Sequence, residues 1–317
     1  MLLALILWLA TAPDAALAPA PLAPRVEEAA AAAAPARTEA GPLARVAFVG
    51  ASVTAGFGTR YEVELEEGQK SSTSFDLASV FEAALGAEAG VIKSYGDAMF
   101  FGKPMKRGPA VLKKALADEP TMIVGLDFLF WYAYGAGDHE GQPVSSREQR
   151  FAKLEAGLAL LEPVECLLVL GDLADMSAAV GTMLMPNMVP DAESLAIMNG
   201  RIYEWADERE NVIVLPLAAT VARIQADQEV RIAGHVWPAG SRTALVHKDK
   251  LHSTMQGMVA LTQLIAERLD AASVVRTSAF ELEPEVVLER LHERALVTAR
   301  RKEEMLRAAK EASTKSD

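Results

Sequence analysis

Residues 45–56 read RVAFVGASVTAG. Val46-Ala47-Phe48-Val49 is a short apolar run without polar alternation, the pattern of a strand buried on both faces. Ser52 follows in a block of small residues. Open parallel sheets hold their ligands beyond the carboxyl ends of the strands, so a serine at this point is well placed for chemistry. A hydroxyl is a poor nucleophile near neutral pH. The rest of the chain must therefore supply a base, a group to orient the base, and donors for an oxyanion.

Outward from this stretch, comparable runs recur at Gly90–Ile92, Met122–Phe130, Cys166–Leu170 and Val212–Leu217. Between them, Phe75–Leu85, Pro109–Ala117, Arg147–Leu161 and Ser194–Trp205 carry apolar residues at helical spacing. Strand–helix alternation of this kind predicts an α/β fold, a parallel sheet with helices on both faces.

The chain has 317 residues, long enough for one large domain or two small ones. Its net charge of −12 argues against non-specific binding to nucleic acid or to anionic lipid. The apolar segment Met1–Ala12 is too short to span a bilayer as a helix, and Ala16-Leu17-Ala18 offers a small-x-small cleavage pattern. Residues 1–18 thus read as a signal peptide of an exported protein, periplasmic or secreted, with no membrane span in the mature chain. An uncleaved anchor is the rival, because the segment lacks Lys and Arg. Residues 19–43, rich in Ala and Pro, form an expected linker. Residues 44–272 are the expected catalytic-type domain and 273–317 a charged C-terminal helix, with Val287, Leu288, Leu291, Ala295 and Ala299 as its apolar stripe. The single cysteine, Cys166, lies in an apolar run and is expected to be an inert thiol.

Five histidines are available as base: His139, His235, His247, His252 and His292. Of these, His252 has a carboxylate at a spacing with an obvious use. In DKLHSTMQG, Asp249 precedes it by three residues, so one turn brings the carboxylate to Nδ1 and leaves Nε2 for Ser52. The next stretch, Met255–Leu269, is amphipathic and helical. His252 is therefore expected in a loop entering the last helix of the domain.

Gly50-Ala51-Ser52-Val53-Thr54-Ala55-Gly56 resembles the Gly-Asp-Ser-Leu-x-x-Gly nucleophile block of the SGNH (GDSL) hydrolases. Asp249-Lys250-Leu251-His252, with Gly257 beyond, resembles that family's Asp-x-x-His block. The resemblance runs from about Arg45 to Leu269. It implies a three-layer, flavodoxin-like α/β/α sandwich of about five parallel strands, and a Ser52–His252–Asp249 set. It also implies oxyanion donors at Ser52 N–H, at Gly96 in VIKSYGDAMF, and at the position that Asp127 occupies in place of the family's Asn. Ala51 replaces the family's Asp.

An ionised Asp127 at that position would repel an oxyanion. Three readings follow: a protonated, donating Asp127; a loop that turns Asp127 elsewhere while Asn187 or Asn199 fills the hole; or a site that no longer hydrolyses. On the repulsion argument, Asp127→Asn is expected to raise activity. Asp172 and Asp175 in GDLADMS share the rim with Ser52. They suit a sugar hydroxyl, a cation (with Asp127), or simply caps and turns, the last being what these residue types favour. Tyr132 and Tyr134 are candidates to line a pocket, and GHVWPAGS (residues 234–241) reads as a hairpin. The expected function is a serine esterase acting on short acyl esters of carbohydrate or small molecules, without metal or organic cofactor. The alternative is an inactive protein of the same fold that binds glycan or protein.

Overall fold

The computed structural model describes residues 41–314 apart from 66–67, 86–88, 138–141 and 145. The expectations for residues 1–40, and His139, lie outside the described residues. The first run forms β1 (Arg45–Gly50), followed by a hairpin of β2 (Arg60–Glu64) and β3 (Lys70–Ser74). Helix α1 (Leu77–Ala84), strand β4 (Val91–Gly96), helix α2 (Pro104–Leu116) and strand β5 (Met122–Gly125) come next. The short α3 (Phe130–Ala133), α4 (Arg147–Leu161), β6 (Leu167–Gly171), α5 (Ala192–Asp207) and β7 (Val212–Leu215) complete the central alternation. After these follow α6 (Leu217–Gln225), β8 (Val230–Ile232), β9 (His235–Trp237), α7 (Arg242–Leu245), α8 (Met255–Ala271) and α9 (Pro284–Thr314).

Five strands form one parallel sheet in the order β4-β1-β5-β6-β7. Counted along that sheet the order is 2-1-3-4-5, that of the flavodoxin-like doubly wound folds, whose switch point lies between the first and third strands. Here those strands are β1 and β5. Ser52 follows the one and Asp127 follows the other. The expected α/β/α sandwich is the observed fold, and the apolar runs owe their lack of alternation to burial on both faces: Phe48, Val49, Ile123, Val124, Leu168 and Val169 are all fully buried.

Two expectations need correction, and one element was not anticipated. The strand expected over Met122–Phe130 stops at Gly125. Local hydrogen bonds, Phe128 N–H to Gly125 O and Phe130 N–H to Asp127 O, turn the chain into α3. The side chains beyond the turn are buried in an aromatic cluster where Phe100 meets Phe128 and Tyr132 edge-on. A buried turn and a buried strand look equally apolar in sequence. The hairpin expected over residues 234–241 is formed earlier, by β8 and β9 about Ala233-Gly234. The β2–β3 hairpin was not anticipated, although Tyr61, Val63 and Leu65 alternate with charged residues before the turn glycine Gly68.

Helix α9 carries the expected stripe. Val287, Leu291, Ala295 and Ala299 are buried, and the helix packs against α1, α8 and the β2–β3 hairpin. Further along, Met305 and Leu306 are exposed. Among the described residues no helix is long and apolar enough to cross a membrane. Cys166 stands just before β6, half-buried, and burial pushes its thiol up to about 11, which keeps it protonated and unreactive at neutral pH.

Candidate active site

Past Gly50 the chain winds into a helix-like turn. Ala55 N–H donates to Ala51 O at 2.9 Å and Phe57 N–H to Ser52 O at 2.8 Å. Gly56 leaves the turn at φ 68, a left-handed conformation that suits glycine. Leu77 N–H, opening α1, donates to Thr54 O. Loop and helix therefore hold one another.

On the opposite wall, the turn before α8 presents His252. Asp249 Oδ1 accepts the N–H groups of Leu251 (2.9 Å) and His252 (3.0 Å), while Oδ2 lies 2.8 Å from His252 Nδ1. Partial burial raises the pKa of Asp249, but these three hydrogen bonds and the imidazole outweigh it and hold the carboxyl below its ordinary range. A carboxylate accepting at Nδ1 leaves the Nε2 lone pair facing outward, and Ser52 Oγ lies 3.0 Å from Nε2. His252 itself is buried, and the ring of Phe57 packs over it with centroids 4.5 Å apart. Thus a serine and a histidine 200 positions apart meet, with Asp249, at one rim.

Asp127 takes a different place from the one its alignment suggested. It is 8% exposed, and its carboxylate is directed into the nucleophile loop. Oδ1 accepts from Ala51 N–H (2.9 Å) and Thr54 Oγ1–H (2.5 Å); Oδ2 accepts from Val53 N–H (2.9 Å) and Thr54 N–H (3.3 Å). Burial raises its pKa, opposed by those hydrogen bonds. Such contacts fit a group that fastens the loop rather than one that donates to an oxyanion. Three of four consecutive backbone N–H groups are spent on it. The fourth, Ser52 N–H, has no acceptor among the described residues.

Gly96 ends β4 opposite Gly50, and its N–H lies 3.4 Å from Ser94 Oγ, a long bond. A Cβ there would stand 2.6 Å from Ala55 N and 2.9 Å from Thr54 C, so the close approach of β4 to the loop requires glycine. Neither Asn suggested as a substitute donor can reach an oxyanion here. Asn199 is bound through both side-chain atoms to the backbone of Leu173, and Asn187 is exposed and absent from the cleft wall.

The cleft beside Ser52, about 90 Å³, is walled by Leu126, Phe130, Trp131, Leu217 and Leu261 together with Asp127 and Asp172. Asp172 Oδ1 accepts Ala218 N–H (2.6 Å) at the start of α6, and Oδ2 accepts the hydroxyl of Tyr203 (3.1 Å). Burial pushes its carboxyl up to about 6. Asp175 is exposed and accepts Ser177 N–H in a local turn. Asp172 and Asp175 thus serve as cap and turn. Among the described residues no three His, Cys, Asp or Glu side chains converge as metal ligands, so Asp127, Asp172 and Asp175 do not form one site. Tyr132 and Tyr134 are buried and bonded to Pro104 O and Ala174 O; their neighbours Phe130 and Trp131 line the cleft instead. Thr54 and Phe57 are site residues that sequence reasoning missed, and only their nearness to Ser52 marked them. Of the other described histidines, His235 lies against Trp237 and His292 beside Tyr61, whereas His247 adjoins the site, its backbone N–H donating to His252 O at 2.9 Å and its ring set against Gly58.

No family model and no curated protein matches the chain. Solved structures do. A gut microbial diltiazem-metabolizing enzyme is 12% identical with a TM-score of 0.46, over 77% of this chain but only 49% of that one. An acetylxylan esterase from Geobacillus stearothermophilus is 14% identical with a TM-score of 0.44, over 73% of this chain and 95% of its own. A single-residue variant of that esterase gives 16% and 0.45, over 74% and 98%. Likeness at this level concerns the course of the chain and not its chemistry.

Proposed function

We propose that the protein is a serine esterase that hydrolyses short acyl esters of carbohydrate or small molecules. The observation that carries this reading is the continuous hydrogen-bonded line from Asp249 through His252 to Ser52 Oγ, with spacings of 2.8 and 3.0 Å. In this mechanism Ser52 Oγ attacks the ester carbonyl while His252 Nε2 accepts the hydroxyl proton. Asp249 keeps Nδ1 protonated and offsets the imidazolium charge. The tetrahedral intermediate then collapses, the C–O bond to the alcohol breaks, and His252 returns the proton to the leaving oxygen. Water repeats the sequence on the acyl-serine, releasing the carboxylic acid and restoring Ser52.

For the oxyanion we assign Ser52 N–H, which Asp127 leaves unspent while it fastens the loop around it, with Gly96 N–H as partner donor. A donor preset where charge develops lowers the barrier by about 2.7–4 kcal/mol. Apart from the hydrolytic water, these steps use side-chain and backbone groups of the protein.

Labelling with a serine-reactive fluorophosphonate tests the reading. Ser52 is expected to be modified in the native protein, and labelling is expected to vanish in Ser52→Ala and His252→Ala. An unlabelled native protein from mildly acidic to mildly alkaline pH would overturn the esterase reading in favour of a binding module of the same fold.

A further inference from the structure

We propose, resting on the esterase reading above, that the site selects esters that are apolar on both sides of the scissile bond. The preferred substrate carries an unsubstituted alkyl acyl group and an apolar alcohol, which narrows the two substrate classes of that reading to the small-molecule esters, with acylated sugars disfavoured.

The acyl side follows from the cleft wall. Beyond Ser52, its polar side chains are Asp127, Asp172 and Ser253. Both carboxylates are committed, Asp127 to the nucleophile loop and Asp172 to Ala218 and Tyr203. The Ser253 hydroxyl and the indole N–H of Trp131 remain. A hydroxylated or charged acyl group placed there would bury polar atoms without enough partners. A hydrocarbon has no such demand. The space of about 90 Å³ is smaller than the roughly 150 Å³ that accommodates benzene, and so holds about two to four acyl carbons.

The alcohol side follows from the rim. Six of the twelve exposed large apolar side chains among the described residues, Phe57, Met99, Phe101, Val180, Met183 and Met185, belong to three loops that contact residues of the site, outside the cleft wall itself. Each loop touches the site. Phe57 packs on His252, Phe101 on the cleft-lining Trp131 with centroids 5.8 Å apart, and Thr182 Oγ1 donates to Asp249 O at 2.8 Å beside Met183. Apolar side chains gathered in water around a cleft mark a surface that a ligand covers. The aliphatic and thioether groups among them contribute area without strong hydrogen bonds, which suits an apolar alcohol and not a polyol.

The experiment is a kcat/KM series on nitrophenyl acetate, butyrate and octanoate, on methyl and naphthyl butyrate, and on a peracetylated sugar, with fluorophosphonate labelling in parallel. Burying one methylene in the cleft is expected to raise kcat/KM about fourfold, hence about fifteenfold from acetate to butyrate, with a fall at octanoate. Val221→Phe, which fills the cleft, is expected to shift the optimum to acetate. Phe101→Ser with Met183→Ser, both at exposed positions, is expected to narrow the naphthyl-to-methyl ratio at least fivefold. A flat chain-length profile, or faster turnover of the sugar ester, in a protein whose Ser52 still labels would overturn this inference and leave the esterase standing. Absence of labelling would remove both.

Discussion

Thr54 donates its hydroxyl to Asp127 Oδ1 at 2.5 Å, from within a loop whose N–H groups at Ala51, Val53 and Thr54 converge on the same carboxylate. A carboxylate is able to accept on both oxygens at once. Asn cannot, because its amide hydrogens would face N–H or O–H donors whichever way it is turned.

Asp127→Asn is therefore expected to lower stability by on the order of 1–3 kcal/mol and to reduce kcat tenfold or more. This reverses what the sequence alone suggested, since the charge is directed at the loop. Denaturant melts and turnover at a temperature well below unfolding check it. Higher activity in the variant would restore the repulsion argument.

Gly96→Ala tests the approach of β4 to the loop. The new methyl must displace the backbone of Ala55 and Thr54, which no side-chain rotation relieves. Destabilisation of about 1–3 kcal/mol is expected, with a loss of kcat larger than any change in KM. Wild-type kcat would show that the loop and any oxyanion donors tolerate the shift.

Asp249→Asn keeps the shape of the turn and removes the charge. With an amide at Nδ1 the imidazole can adopt the wrong tautomer, and kcat is expected to fall by about a factor of 10⁴ with little change in KM. Steady-state kinetics on a nitrophenyl ester decides this. A loss below tenfold would show that Asp249 does not set the tautomer.

Asp172 gives a pH signature in stability. Its carboxyl is pushed up to about 6 by burial, above the ordinary unfolded value near 3.9. Between those limits the folded state holds a proton that the unfolded state has lost, so stability is greatest below them and declines as pH rises through about 4 to 6. Asp172→Asn, which can still accept from Ala218 N–H, is expected to flatten that slope and to raise stability at pH 7 by on the order of 1–3 kcal/mol. Denaturation midpoints across this range, unchanged in slope, would contradict it.

Much of the fold was legible because burial on both faces leaves a plain mark in sequence. The runs at β1, β6 and β7 were found within a residue or two of their ends, and α4 was found at its full extent, since helical spacing is a local property. The Ser52, His252 and Asp249 positions were legible as residue types: a small block after a strand, and a carboxylate three residues from an imidazole. What sequence could not decide was direction. The turn at Gly125, the aim of Asp127 into the loop, the engagement of Asp172 by Tyr203 and Ala218, and the gathering of Phe57, Phe101 and Met183 around one cleft all depend on contacts between segments far apart in the chain. Local spacing determines which residues share a strand end or a turn; only the packing of β1, β5 and the α8 loop against one another determines which of them meet.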